Sequence, residues 1–328
     1  MNELRARVIS QEKEIYMISS GTAIKAAAVS GKYRHEVRTV SDYPAVGDYV
    51  LAQWPEDDSQ AVITGLFPRK SCFLRKAAGP GKREQVVAAN IDTVFICMSL
   101  NQNFNIRRLE RYLAAACESG AMPVVILTKS DLCSDAELKK AEVQRAAPGV
   151  DVLAVSSLAG DHEAVLPYIL PGRTVAFIGS SGVGKSTLIN KLTGTDRMLT
   201  RETGSNDKGR HTTTHRELLT LANGAFVIDT PGMRELGLWD SGSGIDAAFA
   251  DIEALSRGCR YANCTHSAEP DCAVLAAIAA GTLDAARLES YRKLKAENAY
   301  AADSSCYLEA KRTKFRQIAR INQSTGKK

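Results

Sequence analysis

Two rhythms of apolar residues divide the chain. Before about residue 75 the apolar runs are short and of β type, at 15–18, 26–29, 49–52 and 61–64, with Gly21, Gly31, Pro44, Gly47 and Pro55 set between them. Such punctuation predicts a small all-β barrel or sandwich. A five-stranded barrel of OB type fits this pattern, as do other small β folds. From Asn90 the rhythm changes. Residues 93–98 read as a buried strand, and Ile106, Leu109, Leu113, Ala116 and Cys117 share one helical face closed by Gly120. Residues 123–127 form a second strand, Ser134 with Glu137 suits a capping box for the next helix, and 151–155 form a third strand. A fourth, at 174–178, runs into a helix that includes 188–192; strands at 217–221 and 226–229 follow a polar segment. Alternating strands and helices predict a doubly wound α/β domain with ligands at the carboxyl ends of the strands. After Ser241-Gly242-Ser243-Gly244 the β signal disappears, and a separate helical unit is expected.

Composition adds bounds rather than identity. At 328 residues, 45% hydrophobic and 24% charged, the chain has room for two or three cores of ordinary globular type. The longest apolar run, 273–280, is too short for a membrane span, and the first residues lack an apolar signal core, so a cytoplasmic location is expected. The net charge of +5 does not by itself indicate nucleic acid. Its distribution is more informative, because residues 304–328 hold seven basic residues against the single acid Glu309. There Arg312, Arg316 and Arg320 are spaced by four, which suits either a solvated amphipathic helix or a contact with RNA. Arg69, Lys70, Arg75, Lys76, Lys82 and Arg83 surround a Gly/Pro turn and read as a basic linker, either solvated or facing a phosphate backbone. Nothing in the pattern demands a dimer, and a monomer is expected.

The strongest chemical signal is Gly179-Ser180-Ser181-Gly182-Val183-Gly184-Lys185-Ser186-Thr187, placed directly between a strand and a helix. Its glycines let successive N–H groups and the helix N-terminus face a polyphosphate. Lys185 supplies a point charge to the β and γ phosphates, and the Ser186 hydroxyl is placed to ligate Mg²⁺. Asp229-Thr230-Pro231-Gly232 has the D-x-x-G form, in which the Asp supports Mg²⁺ and the Gly N–H meets the γ-phosphate. Thr128-Lys129-Ser130-Asp131 has the [NT]-K-x-D form, whose carboxylate accepts two hydrogen bonds from guanine and finds no such pair on adenine. Ser156-Ser157 follows the next strand and resembles the loop that backs the guanine oxygen. GTP is therefore the expected nucleotide, and Asp131 opposes a P-loop kinase or ATPase.

A second centre lies downstream. Cys259, Cys264, His266 and Cys272 place four soft ligands within fourteen residues, a closed set that suits one structural tetrahedral Zn²⁺. No C-x-x-C accompanies them, which opposes a redox pair.

The motifs run in permuted order: base loops first, then P-loop, then Gly209-Arg210-His211-Thr212-Thr213-Thr214, then 229–232. With the Cys/His cluster and residues 85–92 and 107–113, this order resembles the ribosome small subunit-dependent GTPase family, RsgA. The resemblance covers essentially the whole chain and is weakest over the first forty residues. It implies an OB-fold barrel with the basic linker at 1–80, a circularly permuted P-loop GTPase domain at 81–244, and a mainly helical zinc-binding domain with a basic tail at 245–328. It further implies a GTP hydrolase stimulated by the small ribosomal subunit, acting in late 30S maturation through GTP-dependent rRNA binding and release. Met233 stands where Ras-type GTPases carry the glutamine that orients water, so slow intrinsic hydrolysis is expected. His211 is the candidate to align that water, and Thr213 or Thr214 should give Mg²⁺ its second hydroxyl. The permutation also places the switch II motif directly before the C-terminal unit, which a γ-phosphate-dependent shift could then move. The competing reading is an RNA-binding scaffold with a vestigial nucleotide site, opposed by intact Lys185, Ser186 and Asp229.

Overall fold

A computed structural model describes residues 2–76, 84–101, 103–156, 161–194, 216–229 and 242–302. The chain forms two compact units, Met1–Gly237 and Leu238–Lys328.

The first unit opens with a barrel. Strands β1 (Asn2–Glu12), β2 (Ile15–Ser19), β3 (Ile24–Val29), β4 (Tyr49–Trp54) and β5 (Ala61–Leu66) are joined by a short helix α1 (Gly31–Glu36) between β3 and β4. They pair in the order β1-β2-β3-β5-β4, and β4 returns to β1 to close the barrel. Only β3 and β5 run parallel, which gives the OB-type topology. Alternate residues point inward, so Val8, Ile18, Ala27, Val50 and Ile63 fill the interior. The four strands expected from sequence are present. The fifth, β1, is the longest, and its inward row of Leu4, Ala6 and Val8 is masked in the sequence by the charges that alternate with it.

The supposed basic linker is not a linker where it is described. Cys72–Lys76 (β6) pairs antiparallel with Glu84–Ala89 (β7). Arg69 donates to the fully buried Asp48 carboxylate at 2.7 and 2.9 Å and to the carbonyls of Ser41 and Tyr43 at 2.6 and 2.8 Å. Asp48 also accepts from the Ala45 N–H and the Asn90 amide, so the pair is saturated and belongs to the structure. Gly47 beside it could not carry a side chain, since a Cβ there would lie 2.2 Å from the Ala89 carbonyl oxygen.

Beyond β7 the α/β layer begins: β8 (Thr93–Ser99), α2 (Ile106–Ser119), β9 (Met122–Thr128), α3 (Ala136–Ala146), β10 (Asp151–Val155), β11 (Thr174–Ile178), α4 (Lys185–Thr193), β12 (Arg216–Thr220) and β13 (Phe226–Asp229). The sheet order is β10-β9-β8-β11-β13-β12, parallel except for β12, and β12 pairs onward with β1. β8 is buried along its whole length, as expected of a central strand covered on both faces. Strand order reverses between β8 and β11, where a doubly wound sheet opens its ligand crevice. Asn105 caps α2 through the Arg108 N–H, and Gly120 ends it in the left-handed region. The capping box expected at Ser134 and Glu137 does not form. Asp135 holds the N-cap position instead without a side-chain cap bond, and its carboxylate takes the Lys139 ammonium at 3.2 Å and the Cys133 thiol at 3.0 Å.

The second unit is helical where described: α5 (Gly242–Ala248), α6 (Ala250–Ser256), α7 (Ala273–Ala279) and α8 (Ala285–Ala302). Phe249, Ile252, Val274, Leu288 and Leu294 are buried among them. Arg287 reaches from α8 to clamp Asp251 at 2.7 Å through two nitrogens. No described helix is long and apolar enough to cross a membrane.

Candidate nucleotide site and metal centre

The carboxyl ends of the parallel strands carry the sequence-predicted nucleotide residues. Thr128 ends β9, Ser156 follows β10, Gly179 follows β11 and Asp229 ends β13. The P-loop owes its shape to one position above all. Gly179 has φ of 139°, and a Cβ there would lie 2.3 Å from the Cys97 carbonyl oxygen of β8, so the turn presses onto the neighbouring strand. Cys97 itself is fully enclosed, and burial pushes its thiol pKa up to about 12, which makes it packing rather than chemistry. Val183 is completely buried and pins the far side of the loop, while Ser181 and Gly182 are exposed and Ser180, Ser186 and Thr187 half-buried. Lys185 opens α4 and is nearly buried; its ammonium rests on the carbonyls of Gly179 and Ser180 at 2.5 and 2.6 Å. The charge thus already lies inside the ring that a phosphate would enter.

The base loop is fastened to the P-loop. The Thr128 hydroxyl donates to the Val183 carbonyl at 2.6 Å, and the Lys129 ammonium donates to the Gly182 carbonyl at 3.0 Å. Both Thr128 and Val183 are buried, so the bond is shielded from water. The Thr128 hydroxyl thus braces the two loops. Lys129 takes a left-handed conformation, φ of 60°, which turns Ser130 and Asp131 outward into a 3-10 turn with Asp131 exposed. Ser156 is buried next to this crevice at the end of β10. Two motifs more than fifty residues apart in the chain thus become one surface. Ser157, His211, Thr213, Thr214, Gly232 and Met233 lie outside the described residues, as does the basic tail including Arg312, Arg316 and Arg320.

In the second unit the four expected metal ligands converge. One donor atom from each of Cys259, Cys264, His266 and Cys272 lies within 4.8 Å of all the others. Cys259 Sγ is 3.8 Å from Cys272 Sγ and 3.6 Å from His266 Nδ1, and Cys272 Sγ is 3.4 Å from the same nitrogen. Tetrahedral Zn²⁺ with bonds of about 2.0 to 2.3 Å sets its ligands about 3.5 to 3.8 Å apart, so the donor set fits this ion. Two residues that the motif alone did not indicate hold the loop. Glu269 accepts from the Thr265 N–H and hydroxyl at 2.8 and 2.6 Å and from the Ser267 N–H at 2.7 Å, and these bonds hold its carboxyl far below the usual range. Arg292 of α8 donates to the carbonyls of Thr265 and His266. The only advance signal for Glu269 was a carboxylate four residues after a threonine in a tight loop.

An OB-type barrel followed by a doubly wound sheet, with the base loop preceding the P-loop in the chain, defines a circularly permuted P-loop GTPase fold. A model described as RsgA GTPase matches residues 66–239. The chain is 45% identical over 309 residues to "Small ribosomal subunit biogenesis GTPase RsgA 2" of Lactiplantibacillus plantarum, covering 94% of this chain and 87% of that protein. It is 47% identical over 312 residues to "Small ribosomal subunit biogenesis GTPase RsgA" of Opitutus terrae, covering 92% and 85%. Among solved structures, YjeQ from Thermotoga maritima shares the fold with a TM-score of 0.67 at 24% identity, covering 89% of this chain and 97% of that one. YloQ, described as a circularly permuted GTPase, gives 0.61 at 24% identity, with 89% and 93% covered. The chain belongs to the RsgA GTPase family and is a GTP-hydrolysing enzyme.

Proposed function

We propose that this enzyme is a GTPase stimulated by the small ribosomal subunit, acting late in 30S maturation by binding rRNA in its GTP state and leaving after hydrolysis. The observation that carries the nucleotide part is the fastening of Thr128 and Lys129 to the Val183 and Gly182 carbonyls, which makes base loop and phosphate loop one site. The ribosomal part rests on the role named for relatives that align along more than nine-tenths of the chain.

In this reading Gly179, Ser180, Ser181, Gly182, Val183, Gly184, Lys185, Ser186 and Thr187 wrap the phosphates, and Asp131 pairs with the guanine edge beside Ser156 and Ser157. Ser186 and Asp229, with Thr213 or Thr214, hold Mg²⁺, which neutralises charge on the β and γ phosphates. Lys185 turns from the loop carbonyls to the phosphate oxygens, and Gly232 offers its N–H to the γ-phosphate. His211 aligns the attacking water in place of the side chain that Met233 lacks. Zn²⁺ on Cys259, Cys264, His266 and Cys272 is structural, because four protein ligands leave no open position. The barrel with the basic segment after it at 1–80, the GTPase domain at 81–244 and the zinc domain at 245–328 act as one cytoplasmic monomer.

GTP turnover measured with and without purified small subunits tests this directly. Stimulation by the subunit, competition by GDP and none by ATP are expected; turnover indifferent to the subunit removes the ribosomal role. His211→Ala should abolish the stimulated rate and leave GTP binding intact, and an unchanged rate would exclude His211.

A further inference from the structure

Strand β1 serves the barrel and the GTPase sheet at once, and the changeover is a bulge. Residues Asn2 to Arg7 pair with β4, from Asn2 opposite Trp54 to Arg7 opposite Tyr49. The register against β2 slips between Val8 and Ser10, leaving Ile9 unmatched there, and the strand bends at this point. Ser10 and Gln11 then lie opposite Glu217 and Arg216 of β12. Glu217 in turn lies opposite Asp229 of β13. A single cross-strand row therefore runs from Ser10 through Glu217 to Asp229. With neighbouring strands about 4.8 Å apart, the barrel backbone passes about 10 Å from that of Asp229.

The same strand also grips the other end of the sheet. Arg7 is 6% exposed, and its Nη2 donates to Thr174 Oγ1 at 2.5 Å. Its guanidinium carbon stands 4.6 Å from the centre of the Phe226 ring and 5.0 Å from that of Tyr49. Thr174 and Phe226 are paired as the first residues of β11 and β13, the two strands whose far ends lead to Gly179 and Asp229. A guanidinium is an expensive filler for such a place. Its Nη1 is buried with no hydrogen-bond partner among the described residues, whereas an apolar side chain of similar length would leave nothing unsatisfied there. A fork that touches both strand origins does more than fill space.

We propose that Arg7, together with the Ser10–Gln11 ladder, is a positioning element for GTP hydrolysis: the barrel sets the spacing of β11 and β13, and so of the phosphate loop and Asp229. The inference rests on the reading of Asp229 as the carboxylate that supports Mg²⁺. It separates two properties of the enzyme. Asp131 lies in the turn after β9, on the opposite side of β8 from β11 and β13, so the choice of guanine over adenine should not depend on Arg7, whereas Mg²⁺-dependent turnover should.

The test uses the full chain with the substitutions Arg7→Met, Arg7→Lys, Phe226→Leu and Asp229→Asn. Hydrogen exchange of the Arg216–Thr220 amides reports the clamp, Mg²⁺ titration of GTP turnover reports the site, and the preference for GDP over ADP in chelator reports the base loop. Arg7→Met is expected to speed exchange in β12 and to raise the Mg²⁺ concentration for half-maximal turnover by about tenfold, with the preference for GDP over ADP unchanged. Arg7→Lys, which keeps one donor, should fall between, and Phe226→Leu should repeat the direction if Arg7→Met does not fold. Rapid exchange in β12 with wild-type Mg²⁺ dependence overturns the proposal, as does unaltered exchange in both Arg7→Met and Phe226→Leu. If Asp229→Asn itself leaves the Mg²⁺ dependence unchanged, the reading of Asp229 has failed and not the clamp.

Discussion

The phosphate loop and the Cys/His loop are both short turns that present converging polar atoms, yet they stand on different supports. Beneath the phosphate loop lies a sheet whose strands β8, β9 and β11 are almost wholly buried, with Phe95 and Phe177 stacked 4.9 Å apart under it. That core is built of apolar side chains, and the loop takes its shape from backbone contacts such as Gly179 against Cys97. The Cys/His loop has no such floor. Short helices of seven residues flank it, and its own turn is tied mainly by Glu269 and Arg292. Where a core is thin, a closed metal set replaces burial as the source of order. One site is held by the core beneath it; the other should be held by its metal.

The sharpest way to break this contrast is to remove the metal. Chelation should release about one Zn²⁺ per chain, remove a contribution of about 10 kcal/mol, and melt the 238–328 unit while GTP binding survives. Circular dichroism alongside nucleotide titration would show it, and loss of both together would mean that the two supports are not independent. Next in size, Lys185→Ala should lower turnover about a thousandfold without altering the melting of the fold, because the lysine serves the phosphates and not the core. Gly179→Ala attacks the support itself. Its new Cβ meets the Cys97 carbonyl at 2.3 Å, and a loss of about 2 to 3 kcal/mol of stability with weakened nucleotide binding is expected, read from denaturant unfolding. The smallest effect belongs to the brace. Thr128→Val leaves the buried Val183 carbonyl without its donor and should cost about 1 to 2 kcal/mol, seen as weaker GDP binding, and Thr128→Ser should recover most of it.

Motifs whose chemistry is local were legible in the sequence. The P-loop, the base loop and the four metal ligands are each read within a few residues, and strands such as β8 and β11 announce themselves by unbroken apolar runs. What escaped was long-range. β1 alternates Leu4, Ala6 and Val8 with charges, and a terminal strand gains its meaning only from partners at 49–54 and 216–217. Arg69 looked like surface charge until Asp48, twenty-one positions earlier, appeared beneath it. Ser134 is not the helix cap: the helix begins one residue later, with Asp135 at the N-cap and its carboxylate turned to Lys139. In each case the deciding partner was beyond the reach of local propensity.

The shared strand has a further consequence for anyone who handles the domains apart. A GTPase segment begun after the barrel would keep β12 and lose β1, leaving the backbone groups at Arg216 and Glu217 bare along an open sheet border. Such borders recruit a second chain. The isolated domain should therefore self-associate at concentrations where the whole chain does not, and the barrel doubles as a guard against aggregation.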